Sequence, residues 1–131
     1  MPAFVIGVVH ELAPYPMVEY REKIEGVLAR YGGRYRSLIR HRVETLEGDW
    51  LPPHGIVILE FPSFEQAKAW YHSPEYAPLR EIRMAGDRWD MIVVDGLDED
   101  ETLQSLGVLT AEEQAGRGIS AGGRTTRPNE A

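Results

Sequence analysis

Apolar and polar positions change period several times between residues 1 and 97, and each change predicts a new element. Ala3 to Val9 is a short β-branched run bounded by Pro2 and by Pro14 and Pro16, which predicts a first strand. From Met17 the apolar side chains fall at Met17, Tyr20, Ile24, Val27, Leu28 and Tyr31, spacings mostly of three and four that lay one stripe along a helix. Gly32 and Gly33 stop that helix. Arg34 to Leu46 alternates, with Tyr35, Ser37, Ile39, His41 and Val43 on one parity and Arg34, Arg36, Leu38, Arg40 and Arg42 on the other; this predicts a second strand. Turn signals at Gly48-Asp49-Trp50 and Pro52-Pro53 precede a third strand, Ile56 to Phe61. Ser63 is placed to cap a helix carrying Phe64, Ala67, Trp70 and Tyr71. Ser73-Pro74-Glu75 predicts the start of a further helical segment through Leu79 and Ile82, and Trp89 to Val94 predicts the fourth strand.

The order βαββαβ predicts an α+β domain of ferredoxin-like type, an antiparallel sheet with its helices on one face. Strands one and four are apolar on both parities: Phe4, Ile6 and Val8 against Val5 and Val9, Met91 and Val93 against Ile92 and Val94. A sheet with one wet face alternates apolar and polar residues, so the second face here is expected to be covered too. A second copy of the same sheet, across a two-fold axis, is the economical cover, and a homodimer is expected.

Composition sets the boundaries. With 131 residues, a single main domain is expected, and residues 1–97 hold every aromatic side chain of the chain. Residues 98–131 open with Asp98-Glu99-Asp100-Glu101 and end in a Gly/Arg-rich stretch, so they read as an acidic, then Gly/Arg-rich tail with at most a short helix. Thr110 and Glu113 form the capping-box pattern for that helix, and Leu103, Leu106 and Leu109 suit a docking surface. The absence of cysteine excludes disulfides, a thiolate nucleophile and cysteine-based metal sites. A net charge of −7 weighs against nucleic acid as a partner. No apolar run approaches the roughly 20 residues of a membrane span, and no secretion signal is read at Met1-Pro2-Ala3-Phe4, so a cytoplasmic protein without a membrane partner is expected.

Several blocks taken in order carry a family likeness. They are Met1–Gly7, Glu19-Tyr20-Arg21, Tyr31-Gly32-Gly33-Arg34-Tyr35, Leu46-Glu47-Gly48-Asp49-Trp50, Leu59-Glu60-Phe61-Pro62-Ser63 and Ala69–Tyr76, with Leu79-Arg80 and Arg83 behind. Over residues 1–97 the chain resembles domain-of-unknown-function family 1330, within the dimeric α+β barrel superfamily. The resemblance implies a homodimer and a barrel lined by both sheets. It implies no reaction, since the superfamily spans cofactor-free monooxygenases, lactone isomerases, polyketide cyclases and haem-degrading enzymes.

The candidate chemistry lies in three groups. His10 and His41 carry imidazoles, the side-chain type suited to acid–base catalysis near neutral pH if the inward faces meet at the barrel mouth; the alternative places both at the rim. Glu60 joins Tyr20 and Tyr35 as a polar cluster able to orient a substrate hydroxyl or an enolate. The alternatives are a core-filling Tyr20 and a Glu60 paired with an arginine of strand two. Arg34 and Arg40, with Arg36 and Arg42, share one strand parity suited to binding a carboxylate or phosphate, or to keeping an exposed edge unpaired. Trp50 with Pro52-Pro53, and Trp70-Tyr71, are read as packing. No nucleotide-binding glycine motif and no metal-ligand spacing is present, so neither a cofactor nor a metal is expected. These readings point to a cofactor-independent enzyme or enzyme-like protein, of isomerase, cyclase or monooxygenase type, acting on a small, partly apolar anion in the barrel cavity. The alternative is a non-catalytic small-molecule binding or accessory protein whose tail recruits a partner.

Overall fold

Burial alternates residue by residue along Ala3–Glu11 (β1): Ala3, Val5, Gly7 and Val9 are buried, while Phe4, Ile6 and Val8 between them are only partly covered. This is the period-two signature of a strand with helices on one side. The structure, a computed structural model, describes residues 1–98. Helix α1 (Val18–Arg30) follows, then β2 (Arg34–Ser37), β3 (Ile56–Phe61), α2 (Phe64–Tyr71), α3 (Ala77–Gly86) and β4 (Arg88–Asp95). The four strands form one antiparallel sheet in the order β2-β3-β1-β4, with Val5 opposite both Leu59 and Val93. Its architecture is α+β and ferredoxin-like. No helix among the described residues is long and apolar enough to cross a membrane.

The core lies between the helices and one face of the sheet. Trp70, Tyr76, Phe61, Leu28 and Val9 are its largest fully buried side chains. The Trp70 ring sits 5.4 Å from that of Phe61 and 4.2 Å from that of Tyr76, so α2, β3 and the turn before α3 meet on one indole. Gly33 ends α1 by donating its N–H to the Leu28 carbonyl at 2.9 Å. A Cβ on Gly33 would stand 2.4 Å from the Phe61 ring, so the helix stop is also a close-packing site.

Two predicted elements differ from those observed. Strand two was expected to reach Leu46 and stops at Ser37. The pairing with β3 shifts register between Tyr35 and Ser37, and Ser37 already faces Ile58, near the start of β3. Beyond it the chain turns: His41 N–H donates to the Leu38 carbonyl at 3.3 Å, and Arg40 takes a left-handed φ of 78°. The third helix begins at Ala77, not Ser73. Ser73 instead caps a separate turn, its Oγ accepting from Tyr76 N–H at 3.0 Å and donating to the Trp70 carbonyl at 2.8 Å. Ser63 caps α2 as expected, accepting from Gln66 N–H at 3.0 Å. The tail from Glu99 onward, with its predicted short helix, lies outside the described residues.

The sheet face away from the helices carries Phe4, Ile6, Val8, Ile56, Ile58, Ile92 and Val94, of which Ile92 is 60% and Val94 41% exposed. Both parities of β1 and β4 are thus apolar, but helices cover only one.

Candidate functional site

A positive charge inside the helix–sheet core defines the site. Tyr76, Leu79 and Arg83 follow at intervals of three and four, which turns all three toward the sheet, and Arg83 is only 3% exposed. Its Nε–H donates to the Tyr76 phenol oxygen at 3.2 Å. The Tyr76 hydroxyl in turn shares a hydrogen bond of 3.1 Å with that of Tyr20, brought in by α1. The guanidinium carbon lies 4.9 Å from the centre of the Trp89 ring, over its face.

Trp89 owes its position to Gly7. A Cβ on Gly7 would stand 2.9 Å from Trp89 Cε3, so the ring occupies the space a side chain on β1 would fill. Asp87 holds the other end of the indole, accepting from Trp89 Nε1–H at 3.1 Å and from Ala13 N–H at 2.6 Å. Its carboxylate is therefore engaged with these two donors. Among the described residues no carboxylate comes within ion-pair distance of Arg83. A cleft of about 270 Å³ is lined by Arg83 together with Trp89, Tyr71, Met91, Met84, Asp87 and Arg88.

Charges and phenols here constrain the chemistry. Burial works against the Arg83 charge, but Tyr76, then Tyr20 and Tyr71, outweigh it and keep the guanidinium above its ordinary pKa. Tyr20 is raised well above the ordinary phenol value, chiefly by burial and then by Tyr76 and Tyr35. Burial, with Tyr76 and Glu25, pushes Tyr35 up to about 12, against the opposing effect of Arg83. Both phenols therefore keep their protons at neutral pH.

The residues expected from sequence are distributed over three places. Tyr20 and Tyr35 both lie on the helix side of the sheet, packed against the core. Glu60 lies on the opposite face of the sheet, where its Oε1 meets Arg34 Nη2 at 3.4 Å and Arg36 Nε at 3.5 Å. His10 is also on that face, its Nε2 2.9 Å from Asp90 Oδ2. His41 lies in the segment after β2 and lines a recess of about 390 Å³ with Arg40, His54 and Pro52. The structure thus places Tyr20 and Tyr35 on the helix side and pairs Arg34 with Glu60, whereas His10 pairs with Asp90 and does not line the recess at His41. Sequence reasoning did not single out Arg83, Tyr76 or Trp89 for the site. One signal was present: a charged residue in phase with the apolar stripe of α3.

No curated protein matches the chain. Solved structures share its fold, two of them from one protein. A protein of unknown function from Rhodopseudomonas palustris is 21% identical with a TM-score of 0.54, covering 74% of this chain and 83% of its own. The methylated form of that protein is 19% identical with a TM-score of 0.55, covering 76% and 84% respectively. Residues 2–97, most of the chain, match the family described as domain of unknown function DUF1330, and the chain belongs to that family.

Proposed function

We propose that the protein binds a small, partly apolar organic anion between its helices and sheet, with the anionic group on Arg83 and the apolar part against Trp89, Tyr71 and Met91. One observation carries this reading: a guanidinium 3% exposed, beside a cleft, with no carboxylate to balance it among the described residues. The partners of this guanidinium are phenols and an indole face, none of them a carboxylate, so an anionic ligand is the counter-charge the site lacks. Arg83, with Tyr71 lining the same cleft, is suited to stabilising an enolate or tetrahedral oxyanion, which supports an enzyme-like protein of isomerase, cyclase or monooxygenase type that works without a cofactor. A second reading, a non-catalytic binding protein, is favoured by Asp87, the carboxylate lining the cleft, being occupied by the Trp89 and Ala13 N–H groups. The apolar sheet face supports a homodimer closed over it.

Thermal shift with sodium benzoate at pH 7 tests the reading. Benzoate is expected to raise the melting temperature of the wild type and to leave Arg83→Met unmoved. A shift of equal size in both proteins, or none in either, would refute anion binding at Arg83.

A further inference from the structure

A second cleft adjoins the first. It has a volume of about 360 Å³ and shares two wall residues, Tyr71 and Met91, with the cleft at Arg83. Its other walls include Val5, Phe64, Ala67 and Val93, and its cationic or titratable members are Lys68 and His72. The two clefts follow the helix-facing side chains of β4 in order: Trp89 and Met91 line the first, Met91 and Val93 the second. From Trp89 to Val93 is four residues, about 13 Å of strand at roughly 3.3 Å per residue. A charged end and a long apolar continuation therefore lie in line along one strand.

We propose that the ligand class of this site is an elongated amphipathic carboxylate, with its head group on Arg83 and an unbranched apolar tail running past Met91 into the cleft beside Phe64 and Val93. This rests on the anion reading above and adds the shape of the ligand to it. The two clefts meet at Tyr71 and Met91, so one chain laid past these side chains occupies both. A compact acid would leave the apolar walls of the second cleft to water; a tail removes both surfaces from it.

Calorimetric titration with butyrate, hexanoate, octanoate and decanoate, below their aggregation limits, tests the proposal. Full burial of a methylene is worth about fourfold in affinity, and partial burial in an open cleft at least about fivefold for each two-carbon step. The wild type is expected to follow that trend, and decylamine, of similar length but opposite charge, is expected not to bind. Val93→Phe fills the second cleft and should flatten the series while leaving butyrate unchanged. Phe64→Ala, which removes a wall at the start of α2, should weaken decanoate at least about fivefold by the same reasoning. Binding that depends on Arg83 but is equal for butyrate and decanoate would overturn the elongated ligand and leave the anion site standing. A chain-length trend that survives both Val93→Phe and Phe64→Ala would likewise overturn it. Binding of no carboxylate, or binding indifferent to Arg83→Met, would instead remove the anion reading on which it rests.

Discussion

The phenol of Tyr76 is the hydrogen-bond acceptor for the buried Nε of Arg83, 3.2 Å away and seven residues earlier in the chain. The same ring packs 4.2 Å from Trp70, so one side chain serves both the charge and the core. Tyr76→Phe keeps the packing and deletes the acceptor. It is expected to cost about 1.5–3 kcal/mol, the range for a hydrogen bond to a charged group, measured by urea unfolding. A loss below about 0.5 kcal/mol, the floor for an ordinary hydrogen bond, would mean that the guanidinium finds an equivalent partner.

Replacing Arg83 by methionine removes the charge and keeps an apolar stem over Trp89. Buried ionic groups exchanged for apolar ones of similar volume often leave stability unchanged or raised. Arg83→Met is therefore expected to melt at or above the wild-type temperature while failing to respond to benzoate. A drop of several kcal/mol would assign Arg83 to structure instead.

Alkaline pH should weaken the fold through its phenols. The pKa of Tyr35 is about 12 in the folded chain against an ordinary value of 10, so between these values the folded state holds a proton that the unfolded state has released. The stabilisation is present in full below pH 10 and is lost as the pH rises through about 12. Tyr35→Phe should make the fall in denaturation midpoint between these pH values shallower. An unchanged slope would place the alkaline loss on other groups.

Two glycines should respond to alanine in opposite directions. Gly26 lies within α1 with open space where a Cβ would point, so Gly26→Ala should stabilise by about 0.5–1 kcal/mol. Gly33→Ala drives a methyl into the Phe61 ring and should destabilise by about 1–3 kcal/mol. Thermal melts of the two variants decide the matter, and a stabilised Gly33→Ala would show that the Phe61 ring can yield.

Sedimentation at micromolar concentration is expected to give about twice the chain mass of 14.8 kDa. Charging the open sheet face with Ile92→Glu and Val94→Glu should halve that value and leave the far-UV circular dichroism intact. A wild-type monomer would leave those apolar side chains facing water.

Elements whose signal is local were legible in the sequence. β1, β3 and β4 show in β-branched runs, α1 in its stripe from Met17 to Tyr31, and the start of α2 in Ser63. Strand two was over-read because alternation from Arg34 to Leu46 records side-chain parity but not whether a neighbouring strand is present to accept hydrogen bonds. Once Ser37 has reached Ile58, little of β3 remains to pair with. The site was legible only in part, for a related reason. Tyr20 and Tyr35 were recognised, but Tyr20 meets Tyr76 across 56 positions, and the ring of Trp89 settles on Gly7 across the sheet. Helical phase could place Arg83 inside; it could not say that phenols and an indole would meet it there, with no carboxylate of the described residues in ion-pair range.

The central strand β1 is synthesised before both strands that flank it, β3 and β4, with Ala3 opposite both Phe61 and Asp95. A ribosome must therefore release nearly the whole domain before the β4 side of β1 finds its partner. Contacts this distant in sequence close slowly, because loop entropy is spent before they form. Throughout that interval a strand apolar on both faces is open along one edge, the condition in which nascent chains associate wrongly. For this protein the vulnerable stage is the time between the emergence of β1 and the arrival of Asp95, and a chaperone that shields the amino-terminal strand would act there.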